Sequence, residues 1–289
     1  MSKEDEVRKH KLSKNKSLIP VLLVTLLMII GYFVLSQSIL SFPVGIPVSI
    51  IWGIDDTDAV TSICSCFGGL LMLFFFYWWF RPEFLWKPRN TAFAFKAAAP
   101  ILLYWFIYYV VLFTAAAGHL TFGVERVTFG SIIFAVSAGI CEEMAFREVG
   151  ISYLKRQLSG NKWNLFILIF TSAIFGVTHL SNVIALSVPL WARMMQVFGT
   201  LFFGFFLGAL FLRTGNIWVC ILTHTVYDIL PNIFMSKMDV DFATYIWGWM
   251  IVGQALLAIW GLYLIRKAKQ PEIESLWNEK WKINEPEEK

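Results

Sequence analysis

The chain has 289 residues, of which 57% are hydrophobic and only 15% charged, with a formal net charge of +4. A soluble domain carries roughly 25% charged residues, so this composition leaves a water-facing surface uncovered and excludes an ordinary soluble enzyme. It specifies a membrane protein, and no basic patch of the kind that binds nucleic acid is visible.

Residues 1–17 mix Lys, Arg, Glu and Asp with almost no apolar content and read as a solvated tail. The apolar run that follows, 18–40, is too long for a signal peptide and lacks a small-residue cleavage site, so it is expected to be a retained helix. A membrane span needs about 20 apolar residues, and further runs of that kind cover 59–80, 92–117, 128–158, 165–184, 190–212, 217–234 and 242–265. The expected fold is therefore all-α, a polytopic membrane protein of about eight transmembrane helices. Eight spans place both termini on one side. The basic residues fall on that side: Lys3, Arg8, Lys9, Lys11, Lys14 and Lys16, then Arg81, Lys87, Arg89 and Lys96, then Lys155, Arg156 and Lys162, then Arg213, then Arg266, Lys267 and Lys269. By the positive-inside rule that side is cytoplasmic. The expected organisation is a cytoplasmic tail over 1–17, a transmembrane domain over 18–266 with its functional core at about 128–235, and a soluble, partly helical cytoplasmic tail over 267–289. The linker 41–58, with Pro43, Pro47 and Trp52, is expected along the outer interface. The cysteines Cys64, Cys66, Cys141 and Cys220 all sit inside apolar runs, which argues against a disulfide framework and for packing roles.

Within the run 128–158 lies the costliest stretch of the chain, Cys141-Glu142-Glu143-Met144-Ala145-Phe146-Arg147-Glu148. An ionised group at the centre of a bilayer costs on the order of 3 kcal/mol unless it faces a partner or a water-filled cavity. Three more polar groups interrupt apolar runs: His179, His224 and Asp228. At a rise of about 1.5 Å per residue, Glu142, His179 and Asp228 fall roughly 18–22 Å from the inner ends of their helices and His224 about 12 Å, so they can meet at one level. Glu143 and Arg147, four apart, share a helical stripe and are expected to pair. Glu142, turned about 100° from Glu143, is left to face the histidines. His224 and Asp228 likewise share a stripe. Such a set suits two kinds of hydrolysis. In one, Glu142 is the general base for a water while His224 and Asp228 hold the developing oxyanion. In the other, zinc is held by His179, His224 and a carboxylate, Asp228 or Glu142. Two other functions use the same residue types: a proton-coupled transporter, and a non-catalytic membrane scaffold or immunity protein in which the cluster serves packing. Glu148 receives no role, and Gly204 and Gly208 form a small-xxx-small pattern for close helix approach.

These motifs resemble a known family, the CPBP or Abi membrane proteases, which include the CAAX prenyl-protein endopeptidases and bacteriocin-processing or immunity proteins. Glu142-Glu143-x-x-x-Arg147, Phe175-x-x-x-His179 and His224-x-x-x-Asp228 stand in the family's order on three different runs. Thr214-Gly215-Asn216-Ile217-Trp218 is similar to its tight turn into the last of them. The resemblance covers roughly 131–228 and implies an intramembrane endopeptidase in the cell membrane that acts near the cytosolic side on a peptide or lipid-modified peptide among membrane lipids. It implies that Glu142 and His179 activate water, that His224 and Asp228 stabilise the oxyanion, and that Glu143 and Arg147 support them, with or without zinc. Two positions depart from the pattern: Glu148 stands where the family commonly has Gly, and Asp228 where Asn is frequent. An ionised Asp228 would repel an oxyanion, so it is expected to be protonated, turned onto His224 or bound to metal.

Overall fold

A computed structural model describes residues 17–36, 57–80, 82, 90–115, 127–180, 190–234 and 240–281. The N-terminal tail before residue 17, the linker 41–56 and the end of the chain after residue 281 lie outside the described residues. Every regular element among the described residues is helical. They are α1 (Leu18–Val34), α2 (Thr57–Phe80), α3 (Thr91–Ala98), α4 (Pro100–Ala115) and α5 (Phe129–Glu143), which runs on through a π-helical segment (Met144–Ile151) into α6 (Ser152–Gln157). Next come α7 (Asn164–Thr178), α8 (Leu190–Thr214), α9 (Ile217–Phe234), α10 (Val240–Leu264) and α11 (Gln270–Trp281).

Among the described residues three stretches are long and apolar enough to cross a membrane: Ala59–Phe80, Phe129–Gln157 and Met194–Thr214. A fourth is reached only if Met250–Leu264 and Lys267–Trp281, bent by 52°, are counted as one span. Leu18–Val34, Thr91–Phe106 and Ile217–Leu230 are apolar but shorter. Each apolar run of the sequence thus contains a helix, and the described residues by themselves supply three or four spans. Large apolar side chains lie exposed on several helices, including Leu27, Phe74, Trp78, Phe106, Leu256 and Ile259. A continuous apolar exterior of this kind is at home in lipid and not in water.

Local chemistry sets where the helices begin and end. The run 92–117 is broken at Ala99–Pro100, because proline has no N–H to donate and its ring crowds the preceding turn. At the start of α5 the Thr128 hydroxyl accepts from the Ser131 amide at 3.1 Å, a cap that typically contributes about 1 kcal/mol. The α8–α9 turn is built by Thr214-Gly215-Asn216. Gly215 takes φ = 66°, a left-handed conformation open to glycine at little steric cost, and its amide closes on the Phe211 carbonyl at 2.7 Å. The Asn216 side chain then accepts from the Val219 amide at 3.2 Å and caps α9.

In the packed body α5 lies between α2 and α9, α8 lies against α7 and α10, and α1 rests on the π segment. The backbones of α5 and α9 come closest at Gly139, where a β-carbon would collide with the Thr225 hydroxyl and stand 3.1 Å from the Ile221 carbonyl oxygen. That approach delivers the acidic end of α5 to the middle of α9. α11 is no solvated extension. Ile273, Trp277, Lys280 and Trp281 are buried, and the Trp277 indole donates to the Leu212 carbonyl at 2.9 Å. Its apolar side finds a groove that local sequence does not reveal.

Candidate active site

The acidic pair stands at the junction of α5 and the π segment, where the α-helical hydrogen-bond register gives way to a wider one. Single π turns of this kind occur preferentially at functional sites. Glu143 is fully buried, and its Oε1 takes two partners: the Arg147 guanidinium at 3.1 Å and His224 Nδ1 at 2.8 Å. Arg147, 2% exposed, also donates from Nη2 to the Gly204 carbonyl at 3.1 Å and lies over the Phe175 ring, 4.6 Å from its centroid. Each buried charge is thus met by an opposite charge, a carbonyl dipole or a ring face, as burial demands. The predicted Glu143–Arg147 pair is present. His224 is held by Glu143 as well, whereas the sequence reading had left both histidines to Glu142.

Because a carboxylate oxygen only accepts, the short bond to Glu143 commits the Nδ1–H of His224, and Nε2 becomes the nitrogen available for chemistry. Glu142 Oε2 stands 3.7 Å from that nitrogen and Asp228 Oδ2 3.5 Å. Both carboxyls are partly accessible, with side-chain exposures of 21% for Glu142 and 27% for Asp228 against 0% for Glu143. Glu142 Oε2 is buried and, like Glu143 Oε2 and Arg147 Nη1, has no hydrogen-bond partner among the described residues.

His179 caps the C-terminal end of α7. Its Nδ1 lies 2.9 Å from the Phe175 carbonyl. A carbonyl cannot donate, so Nδ1 carries the proton and Nε2 is the free position. The structure joins His179 to the other five residues through Phe175, whose ring meets the imidazole of His179 at 5.0 Å and that of His224 at 6.1 Å, both edge to face. The Phe203 ring closes the other side of His224 at 5.5 Å.

Sequence reasoning named Phe175 only as a motif letter and missed Gly139 and the acceptor carbonyl of Gly204. A signal was available for Gly139: Ala135 and Gly139 are small residues four apart, one turn before the acidic pair. Glu148, given no role by the sequence, is buried at 1% exposure, accepts from the Tyr77 hydroxyl at 2.7 Å and pairs with Lys280 of α11.

For zinc, the expected ligands were His179, His224, Asp228 and Glu142. Among the described residues no group of three or more His, Cys, Asp or Glu side chains is disposed to hold a metal ion. An apolar cavity of about 310 Å³ lies between α1 and α2, lined by Met28, Tyr32, Met72, Phe76, Trp79 and Val149; none of the six site residues borders it.

No curated protein and no solved structure matches the chain. Residues 124–230, which hold all six site residues, match the family model described as type II CAAX prenyl endopeptidase Rce1-like.

Proposed function

We propose that the protein is an intramembrane endopeptidase of about eight spans, with both termini cytoplasmic, that hydrolyses a peptide bond near the cytosolic side in a membrane-borne, lipid-modified peptide. The observation that carries this reading is the layering of the site. A buried clamp of Glu143 and Arg147 fixes His224, and the two partly accessible carboxyls, Glu142 and Asp228, converge on the nitrogen the clamp leaves over.

In the proposed reaction Glu142, assisted by His179, takes a proton from water as the water oxygen attacks the scissile carbonyl. The carbonyl electrons move onto oxygen, and the oxyanion is met by the Nε2–H of His224. Since Nδ1–H already donates to Glu143, Nε2 can donate only when the imidazole is doubly protonated, and the Glu143 carboxylate supplies the countercharge for that state. Collapse of the tetrahedral intermediate breaks the C–N bond, and the proton held by Glu142 passes to the departing amine. Asp228, turned onto His224, orients the imidazole. No step needs a group beyond these side chains and water.

The test is cleavage of candidate membrane peptides by purified protein in detergent. Glu142→Gln is expected to lower kcat by about 10²–10⁴, the usual contribution of a general base, and His179→Ala to lower it as well. Unchanged cleavage in Glu142→Gln overturns the assignment.

A further inference from the structure

Glu148 is a buried acid that the reaction does not use, and the residue that neutralises it lies 132 positions further along the chain, on α11. Both partners are 1% exposed. The Lys280 ammonium also faces the Phe211 and Trp277 rings at 5.1 and 5.2 Å, and the Tyr77 hydroxyl of α2 donates to the same Glu148 oxygen. One residue beyond Lys280, the Trp281 indole donates to the Ser152 carbonyl at 3.1 Å. Ser152 ends the π segment, and its amide closes back onto the carbonyls of Arg147 and Val149. α11 therefore grips the π segment at two points: the side chain after Arg147, and the residue whose amide bonds Arg147's own carbonyl.

A π turn is rarely adopted and needs support from its surroundings. Here the support comes from two successive side chains. Arg147 is tied to Glu143 and Gly204, and Glu148 is tied to Tyr77 and Lys280. We infer that α11 is a positioning element of the site, in which Lys280, through Glu148, holds the π segment in the rotation that keeps Arg147 on Glu143 and so keeps Glu143 on His224. Lys280 acts through Glu148 and the backbone. The inference rests on the peptidase reading for its kinetic readout alone, since the rotation of the π segment is measurable without any substrate.

The experiment combines hydrogen exchange, read by mass spectrometry, with peptide cleavage on the full chain. Replacing a buried ion pair by apolar groups of similar volume commonly preserves the fold, so the informative variant is Glu148→Met with Lys280→Met. It is expected to fold, to exchange the amides of 144–151 about tenfold faster than the parent while the rest of α5 and α9 stays protected, and to lose about tenfold in kcat at unchanged KM, as a small misplacement of supporting groups would cause. Lys280→Arg keeps the charge and is expected to keep kcat within about threefold. In the parent protein, 144–151 and 270–281 are expected to open as one unit, which needs no variant to fold. A folded double variant with parental exchange over 144–151 overturns the inference, as does a parent in which 270–281 exchanges freely while 144–151 stays protected. If Glu142→Gln cleaves as well as the parent, the peptidase reading has failed and the exchange data still decide this one.

Discussion

Glu142 and Glu143 are adjacent and chemically identical, yet their surroundings give them different work. Glu143, sealed from solvent, has Arg147 and His224 on one oxygen; Glu142 is 21% exposed and brings an oxygen to 3.7 Å from His224 Nε2. That the two glutamates face different surroundings was legible in the sequence, because a helix turns neighbouring residues about 100° apart. What could not be read was which of them takes His224, since that depends on the distance between α5 and α9 and therefore on Gly139. Asp228 bears a direct prediction. If its work is to orient His224, an amide of the same shape serves as well and removes a negative charge from beside the oxyanion, so Asp228→Asn is expected to keep at least the parental kcat. A loss of more than about tenfold would instead make its charge part of the reaction. A second prediction follows from a reaction carried by side chains and water alone: incubation with a strong chelator leaves the rate unchanged, and elemental analysis of the protein checks the same point. Stoichiometric zinc that departs together with activity would contradict the proposed scheme.

At the scale of elements, the site depends on α7 and α8 passing close enough for Phe175 to lie under Arg147. Gly204 makes this approach feasible. A β-carbon there would stand 2.7 Å from Phe175 Cδ1, well inside contact distance, and 3.5 Å from Arg147 Nη2. Gly204→Ala is accordingly expected to cost about 1–3 kcal/mol through overpacking and to reduce kcat by pushing the Phe175 ring off the guanidinium and both imidazoles. A melting curve and the cleavage rate check the two effects separately, and a variant with the parent's stability and rate would contradict this account of the contact. The small-xxx-small pattern that singled out Gly204 and Gly208 was thus a true packing signal, and only the structure shows that the partner is the ring of the Phe175 motif. The π segment was not legible. Its register is fixed by contacts from α1, α2, α8 and α11, whereas the residues Met144–Ile151 read locally as ordinary helix.

Across the whole molecule, composition was enough to announce a helical membrane protein, and the ordered motifs named the six residues of the candidate site. Length was harder to read than identity. Hydropathy marks where apolar residues run, while a helix can stop inside such a run, as at Ala99–Pro100, or continue past it. The docking of α11 also escaped prediction, because its sequence mixes Glu, Lys and Trp and looks like a solvated tail until its partners are known. Those partners gather the ends of several elements: Lys155 meets Glu274 at 2.6 Å and Asn164 at 2.8 Å, and Arg213 pairs with Glu272. Basic residues that the sequence assigned to one side of the membrane are in this way collected around a single helix.

The central claim is that Glu142 delivers water to a peptide carbonyl. Single-turnover cleavage of a membrane peptide in heavy-oxygen water, followed by mass spectrometry of the new C-terminus, tests it most directly. The parent protein is expected to place one heavy oxygen in the new carboxylate, and Glu142→Gln to slow that incorporation by about 10²–10⁴. Incorporation at the parental rate in Glu142→Gln would contradict the account.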